Sequence, residues 1–281
     1  FATVDLSSPR SNRTKANNLF GIYSFKMVGV NADEEICSAS ADLRLSIYES
    51  YHAWSEIVPT VKASIEKSKA KTDRYLGYDI VGYSTQGKEM PMGIVAEKQS
   101  DIDFYLNEFL PKALEDPAAA MEMVKEGKTD YKIPLWCNNI HADEQPGVDA
   151  MIELFDQFAT QDTVSYTTYA ASEKASTGSG RDTTNNVQGE ETTVTLNVDE
   201  ILDNFILVFT FVDNPDGREA MTRALSTGFD PNRDITYQTS PEISALMGRV
   251  SQWMPATFLD LHGYVKNFLI EPCSGPHDPN Y

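Results

Sequence analysis

The chain has 281 residues, 41% hydrophobic and 10% aromatic, which is enough apolar material for one large core or two modest ones. Its 42 acidic and 23 basic residues leave a net charge of −19, and a surface of that sign repels phosphate backbones, so nucleic acid and anionic membranes are poor partners. The longest near-apolar run, Phe205 to Val212, has eight residues, far short of the about 20 that a spanning helix needs, so no membrane span is expected.

The three cysteines, Cys37, Cys137 and Cys273, form no C-x-x-C pair. They define neither a disulfide framework nor a cysteine-based zinc site, and an odd number leaves at least one thiol free. Phe1 leads into a polar stretch without a signal-peptide pattern. Acidity with few cysteines suits an extracellular or surface-associated bacterial protein and leaves a cytoplasmic one open.

Residues 1–45 are polar and weakly periodic, and read as an arm around the body. From Ile47 to about Lys69 the apolar residues Tyr51, Trp54, Ile57, Val58, Val61 and Ile65 recur at helical spacing, with Pro59 predicting a kink or two shorter helices. Tyr75 to Tyr83 and Met90 to Ala96 read as two strands joined by the polar turn Ser84 to Lys88. Residues 101–127 are helical in composition, with Leu106, Phe109 and Leu110 on one face. Ile133 to Ile140 suits a buried strand, and Val148, Met151, Ile152, Phe155 and Phe158 mark one face of the next helix.

The Thr-, Ser-, Gly- and Asn-rich stretch at about 172–193 predicts a mobile surface loop. Phe205 to Val212 has the pattern of a strand buried on both faces. Ser240-Pro241-Glu242 opens a helix with a capping hydroxyl, a proline at the first position and an acid in the first turn. Pro255 closes that helix, and Thr257 to Leu261 is a further short strand. Strand and helix alternate from residue 75 onward, which predicts an α/β sheet with helices on its faces.

Of the four histidines, His141 and His262 each stand at or just past the end of a predicted strand, the edge at which open α/β sheets bind ligands. His141 and Glu144 form an H-x-x-E, whose two side chains face the same way in a helical turn. With His262 they would complete a His₂Glu set, a three-ligand pattern of catalytic zinc with the fourth position left for water. By itself H-x-x-E matches by chance in many chains. Asp213-Asn214-Pro215-Asp216-Gly217 follows the buried strand and reads first as a β-turn. Arg223, Asn232 and Arg233 come next, and fit either a salt-bridged surface loop or a carboxylate-binding site.

In order, H-x-x-E, N-P-D-G, T-R, G-x-D-x-N-R and L-D-L-H resemble the motifs of the zinc carboxypeptidases of the A/B type. The 121 residues from His141 to His262, and the upstream G-Y-S-x-x-G-K from Gly82 to Lys88, are similar to that family's as well. The resemblance covers about residues 48–271. It implies a mixed, largely parallel sheet flanked by helices on both faces, and one Zn2+ per chain held by His141, Glu144 and His262. It further implies that Arg223 polarises the scissile carbonyl and stabilises its oxyanion, and that Asn232 and Arg233 grip the free C-terminal carboxylate of a peptide substrate. Asp230 resembles the acid that orients a ligand histidine, and Tyr264 resembles a residue lining the substrate groove. The activity implied is hydrolysis of the C-terminal peptide bond by a metal-activated water.

The sequence departs from that family in its last part. The family carries its general-base glutamate, its substrate-capping tyrosine and its specificity residues well beyond the second histidine ligand, whereas this chain ends 19 residues after His262. Glu271 stands at the wrong spacing, so no general base is assigned. The expectation is an incomplete catalytic domain over 46–281 behind an N-terminal arm or extension, 1–45, with a shortened relative as the alternative. Pro231 also stands where the family usually has leucine or alanine. Other readings are a non-catalytic peptide-binding relative, a zinc amidohydrolase acting on a cell-wall peptide or another small carboxylate-bearing amide, and an acidic surface protein without a metal. Oligomeric state and the identity of the C-terminal residue removed stay open.

Overall fold

The computed structural model describes residues 21–32, 36–45, 51–129, 131–169, 190–220 and 222–262. The first two stretches form an antiparallel ribbon, β1 (Gly21–Val30) and β2 (Ile36–Leu45). Tyr23, Phe25 and Met27 lie opposite Leu43, Ala41 and Ala39, so one face of the ribbon is apolar although the sequence there shows little periodicity beyond two.

Helix α1 (Trp54–Lys69) is continuous. Pro59 sits inside it without dividing it, so the two shorter helices offered as one expectation are a single helix. The predicted hairpin is present as β3 (Tyr75–Tyr83) and β4 (Glu89–Ala96), with Gly87 at φ 81° in its turn. The next helical stretch is broken into α2 (Gln99–Phe104), a π-turn (Tyr105–Phe109), α3 (Leu110–Glu115) and α4 (Pro117–Lys125). Asp116 caps α4 by accepting from Ala119 N, which explains the break before Pro117.

Strand β5 (Ile133–Asn138) leads into helix α5 (Gln145–Thr160). A second ribbon, β6 (Thr163–Tyr169) with β7 (Glu191–Asn197), brackets the predicted loop, of which 172–189 lie outside the described residues. Then follow α6 (Val198–Leu202), β8 (Phe205–Thr210), α7 (Pro215–Ala220), α8 (Pro241–Trp253) and β9 (Thr257–Asp260). Ser240 caps α8 as its sequence predicts, accepting from Ile243 N.

The central sheet is mixed, with strand order β3-β4-β8-β5-β9. Pairing is antiparallel for β3–β4 and β4–β8, and parallel for β8–β5 and β5–β9. Residues at odd positions of β8 (Leu207, Phe209) and the following Phe211 pack with Ile57 and Val61 of α1 and Phe155 of α5. The even positions Ile206 and Val208 pack with Trp136, Ile102, Leu246 and Trp253 on the other face. Helices thus cover both faces, and the continuous apolar run of β8 is needed because it has a core on each side.

Candidate metal centre

Three parallel strands end side by side in a polar row: Thr210 of β8 lies beside Asn138 of β5, and Asn138 beside Asp260 of β9. From there β5 runs on into His141 and β9 into His262. Two bonds tie the strand ends together: the Asn139 side chain donates to Leu261 O at 2.6 Å, and Leu261 N donates to Asn138 O at 2.7 Å. A turn closed by Glu144 N donating to His141 O at 3.2 Å then sets Glu144 at the head of α5.

These connections bring His141, Glu144 and His262 together, with one candidate ligand atom from each lying within 4.8 Å of the others. The imidazole centroids are 4.9 Å apart. His262 Nδ1 is 3.1 Å from Glu144 Oε2, and its Nε2 is 3.0 Å from Asp260 Oδ2. His141 is fully buried, and neither of its ring nitrogens has a hydrogen-bond partner. Leaving such a group unsatisfied costs about 1–3 kcal/mol, so this histidine calls for a partner that accepts its lone pair. Burial, and after it the positive charge of Arg223, hold its pKa down to about 4, with Asp230 opposing. At neutral pH the ring is therefore uncharged, the form that binds metal. Two imidazoles and one carboxylate suit zinc, and the orphaned nitrogens of His141 fit that ion.

No protein-family model and no curated protein matches the chain. Solved structures do. The likeness is to metallo-carboxypeptidases. One from Burkholderia cenocepacia gives a TM-score of 0.47 at 13% identity, covering 89% of this chain and 53% of that one. Carboxypeptidase A from Helicoverpa armigera gives 0.45 at 13%, covering 79% and 47%. A metallo-carboxypeptidase from Pseudomonas aeruginosa, in complex with (2-guanidinoethylmercapto)succinic acid, gives 0.41 at 15%, covering 89% and 53%. The chain spans about half the length of each.

Arg223 reaches the edge of the centre, its Nη1 donating to Glu144 Oε1 at 2.8 Å and its Nε to Asp230 Oδ2 at 2.9 Å. Its backbone is held by Asn214 of the N-P-D-G motif, whose side-chain amide donates to Arg223 O and Ala224 O, each at 3.1 Å. The Asp216 carboxylate of the same motif is bound to the β3–β4 turn. It receives Ser84 Oγ at 2.8 Å, Lys88 Nζ at 3.0 Å and Gln86 N at 3.1 Å, and so anchors the β3–β4 turn. The motif is thus two fasteners and not a mere β-turn.

Asp230 bonds to Arg223 and to Asn232 N, each at 2.9 Å, whereas the carboxylates on the His262 ring are those of Glu144 and Asp260. Burial pushes the Asp230 carboxyl up, but the Arg223 and Asn232 hydrogen bonds outweigh it and leave the pKa below the usual value. Asn232 and Arg233 sit in a 3₁₀ turn, Pro231–Arg233, just after Asp230, with Arg233 exposed. Tyr264 lies outside the described residues. Asp260 stands in the L-D-L-H motif without an assigned role, and Asn138 and Thr210 stand in none of the motifs. Their signal was present: Asp260 is two residues before His262 and so shares its face of an extended strand, and Asn138 and Thr210 are polar residues inside apolar strand patterns.

Proposed function

We propose that this chain forms a large part of a zinc-dependent metallocarboxypeptidase that hydrolyses the C-terminal peptide bond of peptides. One observation carries the reading: His141, Glu144 and His262, drawn from segments 121 residues apart, converge around a buried imidazole with two unpartnered nitrogens. One zinc ion per chain would be held by these three side chains. When bound, such an ion lowers the pKa of a coordinated water to about 7 and polarises a carbonyl.

The chain's own residues supply the rest of the arrangement. Arg223, beside Glu144, is placed to meet negative charge developing on a carbonyl oxygen at the centre's edge, a type of stabilisation worth about 3 kcal/mol. The exposed fork of Arg233 and the amide of Asn232 suit a substrate's free carboxylate and would fix the last peptide bond at the centre. In this reading residues 46–281 belong to the catalytic domain and 1–45 form an extension.

The carboxylate assignment is tested by titrating the zinc-loaded chain with a peptide and with its C-terminal amide. The peptide with the free carboxylate is expected to bind at least about tenfold more tightly, since a hydrogen bond to a charged group is worth about 1.5–3 kcal/mol. Arg233→Ala is expected to abolish that preference. Equal binding of acid and amide would refute an exopeptidase.

A further inference from the structure

His262 is held on both sides, and the side away from Glu144 leads into the sheet. Its Nε2 faces Asp260 Oδ2 at 3.0 Å. Asp260 Oδ1 accepts from Ile140 N and from the Asn138 side-chain amide, both at 3.1 Å. The same Asn138 nitrogen donates to Asp213 Oδ2 at 2.7 Å. At its other end Asn138 Oδ1 lies against the Thr210 hydroxyl, which is itself 2.9 Å from Trp136 Nε1. Asn138, Thr210 and Asp213 are buried, and Trp136 is fully so.

The indole at one end sets the direction of this row. An indole N–H can only donate, so the Thr210 oxygen accepts from Trp136, and its own hydrogen goes to Asn138 Oδ1, the nearer of two acceptors, with Cys137 O at 3.4 Å. That places the Asn138 NH₂ toward Asp213 Oδ2 and Asp260 Oδ1. With Oδ1 occupied by two donors, Asp260 presents Oδ2 to the imidazole as an acceptor.

Resting on the metal reading above, we infer that Trp136, Thr210, Asn138 and Asp260 form a directional hydrogen-bond row that fixes His262 as its Nε2–H tautomer and so keeps Nδ1 as the nitrogen that binds the ion. Thr210 and Asn138 are positioning residues: they touch neither ion nor substrate and act through Asp260. The row crosses three strands at one level, so the sheet core itself sets the ligand's proton. Outer partners of this kind typically change metal affinity by about 10–100-fold when removed.

The test uses the metal-free protein first. Asp260 at Nε2 and Glu144 at Nδ1 can each accept the ring proton, and nitrogen and carbon NMR of labelled histidine is expected to show it on Nε2, observable and hydrogen-bonded. In Thr210→Val the ring is expected to revert toward the tautomer mixture of free imidazole, with zinc Kd raised about tenfold or more. Thr210→Ser, which keeps the hydroxyl, is expected to stay near the natural values in both. An Nδ1–H tautomer or a free-imidazole mixture in the unaltered protein overturns the inference, and that spectrum decides alone should Thr210→Val fail to fold. Equal zinc affinity for folded Val and Ser variants overturns it too. A pure Nε2–H tautomer in a protein that binds no zinc would sustain the row and reject the metal reading, so the two failures are distinct.

Discussion

Asp234 shows how one buried carboxylate sets the loop that carries Asn232 and Arg233. Its Oδ1 accepts from Thr239 N at 2.9 Å and Thr239 Oγ1 at 2.6 Å. Its Oδ2 accepts from Ser240 N at 2.8 Å and Ser240 Oγ at 2.6 Å. Burial raises its pKa, but these four bonds outweigh that and hold it down to about 2, against about 3.9 in an unfolded chain. A depressed carboxylate stabilises the fold above the unfolded value, and that contribution disappears as pH falls from about 4 through about 2. We expect Asp234→Asn to lose about 2 kcal/mol at neutral pH, as read by urea unfolding. The gap to the unaltered protein should narrow below pH about 4 and nearly close by about 2. A gap independent of pH would show that the charge of Asp234 contributes nothing.

At the scale of elements, the centre depends on how closely the end of β9 approaches the start of α5. Gly147 lies three residues after Glu144, and a Cβ there would stand 2.6 Å from Leu261 O and collide with the Asn139 side chain. Those two groups form the hydrogen bond that ties the His141 and His262 segments together. Gly147→Ala is therefore expected to weaken zinc binding by about tenfold or more and to cost about 1–3 kcal/mol of stability. Calorimetric zinc titration beside thermal unfolding checks both, and an unchanged zinc affinity would show that the close approach does not set the ligand geometry.

Much of this layer was legible in the sequence because local chemistry and tertiary demand agree. Ser240-Pro241-Glu242 caps a helix wherever it sits, and the eight-residue apolar run of β8 is required by a core on both faces. Pro59 shows the limit of a local rule, since its helix runs on through it. The partner of His262 was missed for a different reason. A neighbour two residues away on a strand is visible in principle, but the row Thr210–Asn138–Asp260 exists only once three strands are in register. Helical and strand periods show burial well, and they say little about which polar groups meet across a sheet.

For the whole molecule, the distribution of charge separates the centre from its surroundings. A chain of net charge −19 places Arg223 and Arg233 around a cluster of two histidines and a glutamate. An overall negative field attracts divalent cations, while Arg223 and Arg233 put positive charge beside His141. Among the described residues no helix is long and apolar enough to cross a membrane. The proposed metal centre requires His141, Glu144 and His262 to hold one ion together. The most direct measurement is equilibrium zinc binding to the purified chain, with folding verified, beside His141→Ala and His262→Ala. Three-residue ligation predicts one zinc per unaltered chain, affinity lost by at least about 100-fold in each variant, and thermal stabilisation that grows with free zinc as mass action requires. A folded chain that binds no zinc, or binds it equally well without either histidine, would contradict it.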